Sequence, residues 1–180
     1  MPRLFIAIDP PPTQRDRIQT ICSNLPGARW IPAAQIHLTL RFIGEVAPDF
    51  HARIAVGLAA IRGGPLTLEI AGLGYFPPRG RPRVLWLALQ QNEHLTELRN
   101  MIETTLVGIG LPPEERKFAP HLTIARCKTS SQKNVADFTR GNAAFALDPF
   151  PVEEFHLYSS RLTSAGASHR REASYRLGTP

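Results

Sequence analysis

Apolar and polar residues alternate in two stretches that read almost alike, Ile36-His37-Leu38-Thr39-Leu40 and Pro120-His121-Leu122-Thr123-Ile124. A β-strand sends successive side chains to opposite faces. The spacing therefore predicts that each His shares one face with its Thr, while Leu38 and Leu40, or Leu122 and Ile124, turn into a core. Around these stretches the pattern predicts a strand over Leu4–Ile8, then a helix capped by Thr13 and running to about Ser23, with Ile18 and Ile21 inward. A short strand over Arg29–Ile31 and the first motif strand, Gln35–Ile43, follow. A helix over Pro48–Ile61 carries Ile54, Leu58 and Ile61 at helical spacing, and Gly63-Gly64-Pro65 stops it. Leu66, Leu68 and Ile70 predict a half-buried strand, and Val84–Leu89 another. The longest helix spans Asn92–Val107 with Leu95, Leu98, Ile102 and Leu106 as its apolar stripe. Then come the second motif strand, Lys117–Cys127, a polar segment over Lys128–Lys133 and a short helix over Val135–Thr139. Two last strands, Phe150–Ser159 and Ala173–Leu177, flank a basic turn over Thr163–Arg171.

This order is a duplicated α+β unit with one His-x-Thr strand in each half. Two antiparallel-rich sheets are expected to face each other across a central cleft, with the helices outside. No low-complexity stretch or Gly/Ser linker separates the halves, so residues 1–180 are read as a single bilobal domain without a tail.

Composition narrows the setting. The chain is 43% hydrophobic and 20% charged, ordinary for a soluble protein. No apolar run approaches the roughly 18 residues of a membrane span. The N-terminal residues, Met1 to Asp9, resemble a first strand rather than a signal peptide, so a cytoplasmic location is expected, with no membrane partner. Cys22 and Cys127 stand in no metal-ligand spacing and are expected to stay reduced. The net charge of +6 comes mostly from arginine, whose planar fork of donors suits phosphate, and favours a polyanionic partner.

The paired motifs carry the chemistry. Of six histidines, only His37 and His121 share a tetrapeptide context. A neutral imidazole beside a charged one near pH 7 supplies a general base and a general acid, the need of in-line displacement at phosphorus. Thr39 and Thr123 can donate to non-bridging oxygens as charge collects there, and Arg126 can add a permanent positive charge. A zinc site would need three or four ligands, and only Glu45 stands near either motif. Neither a G-x-S-x-G elbow nor a G-x-x-x-x-G-K-[ST] loop occurs. No metal and no cofactor are expected.

The flanks sharpen this. Trp30-Ile31-Pro32, then His37-Leu38-Thr39-Leu40-Arg41-Phe42-Ile43-Gly44-Glu45-Val46, and later Phe118-Ala119-Pro120-His121-Leu122-Thr123-Ile124-Ala125-Arg126, resemble the 2H phosphoesterase superfamily. The match is to its RNA 2′,3′-cyclic phosphodiesterase branch, also called 2′-5′ RNA ligases. Arg3–Ile8 and Phe155–Leu162 fit as well, so the resemblance spans nearly the whole chain. It implies a bilobal fold with pseudo-twofold symmetry. It also implies metal-independent hydrolysis of an RNA terminal 2′,3′-cyclic phosphate to a 2′-phosphate, with reverse 2′-5′ ligation as a second activity. Carried onto this chain, His37 is the acid and His121 the base, while Thr39 and Thr123 hold the phosphate. The equivalent positions five residues beyond each histidine, Phe42 and Arg126, correspond to base-stacking and phosphate- or base-binding contacts, with core packing as the alternative for Phe42. Strict alternation would turn both residues away, so a bulge or a strand end has to re-aim them. Arg79, Arg81 and Arg83 could track an RNA backbone, and Tyr75, Phe76 and Tyr158 are pocket or core residues. The expected partners are RNA ends or tRNA fragments bearing a cyclic phosphate, taken by a monomer. The alternatives are a phosphodiesterase for small cyclic nucleotides or ADP-ribose cyclic phosphate, and a non-catalytic RNA-binding module.

Overall fold

The computed structural model describes residues 3–163 and 166–178. Buried Leu4 to Ile8 form the central strand β1 (Arg3–Ile8). Helix α1 (Pro12–Gln19) starts with a proline in its first turn, where the missing N–H costs no bond. Pro11, not Thr13, occupies the cap, and the helix stops at Gln19, short of Ser23. The chain continues through β2 (Ala28–Trp30), a 3-10 turn at Ala33–Gln35, β3 (Leu38–Glu45), α2 (Pro48–Ala59), β4 (Leu66–Leu68) and β5 (Ile70–Phe76). Then come β6 (Val84–Leu89), α3 (Glu93–Ile109), β7 (His121–Cys127), α4 (Gln132–Gly141), β8 (Phe150–Val152), β9 (Glu154–Thr163) and β10 (Gly166–Arg176).

The longest helix follows its periodicity. In α3 the stripe Leu95, Leu98, Ile102 and Leu106 is buried. The Asn92 side chain accepts from the Leu95 N–H at 3.0 Å, and Gly110 closes the other end in the left-handed region at φ 109°. Several boundaries differ from expectation, among them a break at Glu153 that divides the expected strand over Phe150–Ser159 into β8 and β9. The motif strands start at Leu38 and His121, because the 3-10 turn at Ala33–Gln35 and a segment ending in Pro120 precede them. The expected strand over Leu66–Ile70 divides at Glu69 into β4 and β5, which join different sheets. Ser131 caps α4 through its hydroxyl, which accepts from the Asn134 N–H at 3.0 Å, so Gln132 and Lys133 at the end of the polar segment already belong to the helix. The basic turn is strand from Gly166 onward, with Ser164 and Ala165 outside the described residues.

Pairing places the two motif strands at the centre. One arm of the large sheet runs β10-β9-β1-β3 and the other β7-β6-β5, with β2 added on β7. A single register pair, Leu38 with Leu122, joins β3 to β7. The second sheet is β4 against β8. Both junctions bring together equivalent elements of the two halves: the motif strands, and the short strands that follow α2 and α4. The two sheet halves of the expected duplicated fold are thus arms meeting at one pair. Helices α2 and α3 pack on each other, and α3 lies against β3. The buried core contains Ile54 and Leu58 of α2, the α3 stripe, and the inward residues of both arms. No helix among the described residues is long and apolar enough to cross a membrane.

Candidate active site

The motif strands are bulged at equivalent places. Along β1 and β3, Ile6 pairs with Arg41 and Ala7 with Thr39, leaving Leu40 as an extra residue. Along β6 and β7, Leu85 pairs with Ala125 and Trp86 with Thr123, leaving Ile124 extra. An extra residue on one strand puts two successive side chains on the same side. Leu38, Leu40 and Arg41 accordingly face the helices, where the Arg41 guanidinium meets Glu103 at 2.9 Å and Glu114 at 3.1 Å. Leu122, Ile124 and Ala125 are likewise buried. His37, Thr39 and Phe42 return to the opposite face, as do His121, Thr123 and Arg126. All six line one cavity of about 600 Å³. Phe42 is 50% exposed there, which removes it from the core.

The two imidazoles are held alike. The Gln35 carbonyl accepts from His37 Nδ1 at 2.7 Å, and the Ala119 carbonyl accepts from His121 Nδ1 at 2.7 Å. A carbonyl can only accept, so each Nδ1 carries its hydrogen and each Nε2 is left for chemistry. Burial pushes His37 down to about 4, although the Gln35 bond and the Asp9 charge work the other way and His169 and Arg15 add to the lowering. Burial therefore leaves His37 neutral at pH 7.

The walls differ between the halves. His37 packs on Phe5, with ring centroids 5.0 Å apart, and stands 5.4 Å from His169. Phe5 in turn stacks on Tyr158, whose hydroxyl donates to Asp9 at 2.6 Å. Arg15 and Arg171 close on the same carboxylate at 3.0 and 2.7 Å. Burial alone would raise Asp9, but the Tyr158 hydroxyl and these cations outweigh it and hold the carboxyl below its ordinary value. Tyr158 thus stands behind the cavity as part of its support. His121 instead meets Phe76 edge-on at 5.3 Å and Trp86 at 6.2 Å. Tyr75 packs against the core.

His169 was hidden from sequence reasoning because it falls in the stretch expected to be a turn. That part of β10, Ser168–Arg171, holds no apolar residue, so no hydrophobic alternation marks it as a strand. Arg29 and Lys128, which add positive charge to the cavity wall, had no motif either. Among the described residues, no group of three His, Cys, Asp or Glu is placed to hold a metal ion. Cys22 and Cys127 are both free, and burial pushes the Cys22 thiol up to about 11.

Comparison with known proteins agrees with this geometry. The family model described as the 2′-5′ RNA ligase superfamily matches residues 10–163. The chain is 32% identical to an RNA 2′,3′-cyclic phosphodiesterase of Archaeoglobus fulgidus, over 93% of this chain and 96% of that one. It is 33% identical to a protein of the same name from Thermotoga maritima, over 93% of this chain and 91% of the relative. Among solved structures, TT0787 of Thermus thermophilus superposes with a TM-score of 0.82 at 26% identity, over 97% of both chains. LigT of E. coli in complex with 3′-AMP superposes with a TM-score of 0.78 at 26% identity, covering 99% of this chain and 100% of that one. Matched over most of its length by the family model and by full-length relatives, the chain belongs to the 2′-5′ RNA ligase superfamily.

Proposed function

We propose that this protein is an RNA 2′,3′-cyclic phosphodiesterase, opening a terminal cyclic phosphate to a 2′-phosphate by two-histidine acid–base catalysis. The observation that carries the reading is the matched pair of imidazoles, each pinned through Nδ1 to a backbone carbonyl beside a threonine on one cavity wall. In the reaction, His121 Nε2 takes a proton from water as the water oxygen bonds to phosphorus. The phosphorus–O3′ bond breaks, and His37 Nε2 gives its proton to the departing 3′ oxygen. Thr39 and Thr123 donate to the non-bridging oxygens, and Arg126 balances their charge. Phe42 offers a flat face to the terminal base. With the 5′-hydroxyl of a second RNA end in place of water, the same groups supply the base and the acid for 2′-5′ ligation, the phosphorus–O3′ bond again being the one that breaks.

As the acid, His37 needs a proton that burial alone denies it. The phosphodiester anion supplies the reason for uptake, because a negative charge beside an imidazole favours its charged form. Both histidines come from one chain, which supports a site complete in a monomer. The test is turnover of an oligonucleotide ending in a 2′,3′-cyclic phosphate. A 2′-phosphate product is expected, and a 3′-phosphate product or no turnover by the folded protein would refute the proposal.

A further inference from the structure

A second cavity of about 760 Å³ adjoins the first and shares Phe76, Val84 and Lys128 with it. Its remaining walls are Pro77, Pro78, Arg81, Arg83 and Cys127. No carboxylate lines it, and among the described residues neither Arg81, Arg83 nor Lys128 is in an ion pair. Arg81 donates to the Lys128 carbonyl, which fixes its guanidinium on the groove wall. Val84 is the register partner of Arg126, and the Cys127 N–H donates to the Arg83 carbonyl at 2.9 Å. The cations of the groove therefore continue, along the edges of β6 and β7, the positive charge that Arg126 brings to the first cavity.

From this continuity we infer that the groove holds the phosphodiester backbone of the nucleotides preceding the terminal one, making the preferred substrate an oligonucleotide rather than a free nucleotide. The inference rests on the reading of the first cavity as a cyclic-phosphate site. A row of unpaired cations suits a polyanion. Exposed Pro77 and Pro78 beside Phe76 add flat apolar surface, which suits stacked bases better than an acidic peptide. Arg79, the third arginine of this stretch, does not line the groove.

The experiment compares a trinucleotide and a mononucleotide, both ending in a 2′,3′-cyclic phosphate, in wild type and in Arg83→Glu and Arg83→Gln. Wild type is expected to show a higher kcat/KM on the trinucleotide, with an advantage that shrinks as salt rises. Arg83→Glu lowers kcat/KM about tenfold more on the trinucleotide than on the mononucleotide, and Arg83→Gln lies between. Equal losses on both substrates, or no wild-type preference for the longer one, overturn the inference. Fluorescence anisotropy of a labelled oligonucleotide ending in a 2′-phosphate keeps the two readings apart. If wild type turns over neither substrate, weaker binding by Arg83→Glu still supports the groove, and unchanged binding refutes it.

Discussion

Leu38 and Leu122 are register partners across β3 and β7, and each stands between a histidine and a threonine. That single pair is what brings two distant tetrapeptides together. Because both leucines turn into the core at one position along the sheet, the residues on either side of them turn out into one cavity. The bulges at Leu40 and Ile124 then repeat the operation five residues beyond each histidine. Duplicated strands joined at their motif thus make a site whose halves are chemically equivalent and whose surroundings are not.

Replacing either imidazole removes an acid or a base but leaves the cations and threonines in place. His37→Ala and His121→Ala are each expected to lower kcat by about 10²–10⁴-fold, the usual worth of general acid–base catalysis. Affinity for a 2′-phosphate-ended oligonucleotide changes little. The same mechanism has no step for a divalent ion, so EDTA leaves turnover unchanged. A strict metal requirement, or one histidine that can be lost without effect, refutes it.

Arg126 and Phe42 separate charge from stacking at equivalent positions. Removing a charged hydrogen-bond donor costs about 1.5–3 kcal/mol, so Arg126→Ala should lose about 10- to 100-fold in kcat/KM. Arg126→Lys recovers only part, because lysine lacks the planar fork. Phe42→Ala should weaken binding by about 1–3 kcal/mol, the worth of one stacked base. Its ring is half exposed, so thermal stability should barely move. A large fall in Tm for Phe42→Ala would return that ring to a packing role.

The apolar rhythm of the chain made much of this legible. His37, Thr39, His121 and Thr123 could be read from alternation alone, and the α3 stripe from its helical period. The i+5 positions called for either a bulge or a strand end, and nothing in Leu40 or Ile124 marks either as an inserted residue. What stayed illegible has physical causes. His169 lies on an edge strand, between polar Ser168 and Arg170 in sequence. Arg29 reaches the cavity only because β2 pairs with β7, and Lys128 stands just past the end of β7, outside the repeated motif. The Asp9 cluster, with Arg15, Tyr158 and Arg171, is assembled from three separate stretches of chain.

Gly74 tests the wall behind His121. A Cβ there would lie 2.3 Å from the Trp86 ring, which packs on Phe76 at 4.9 Å and faces His121. Gly74→Ala must displace that ring, and overpacking of this kind costs about 1–3 kcal/mol. Turnover should fall with stability as the support of His121 shifts. Gly64→Ala is the control, since its Cβ would meet nothing within 4 Å. Equal melting temperatures for the two variants would show that Trp86 yields without cost.

His37 ties pH to both stability and binding. Burial, the largest cause, holds it at about 4 in the folded protein, against an ordinary value of 6.5. As pH falls from about 6.5 toward 4, the unfolded chain takes up a proton that folded His37 refuses. Stability is therefore complete above that window and declines through it. Burial lowers His156 and His169 as well, so the slope belongs to all three, and the difference between wild type and His37→Gln isolates one share. Binding should act in the opposite direction. An anion against the ring favours its charged form, so NMR titration of the His37 ring should show the midpoint rising from about 4 when a 2′-phosphate product is added. A pH profile of kcat that is bell-shaped follows from the same coupling. A His37 midpoint that stays near 4 with phosphate bound would disqualify it as the acid and exchange the roles of the pair.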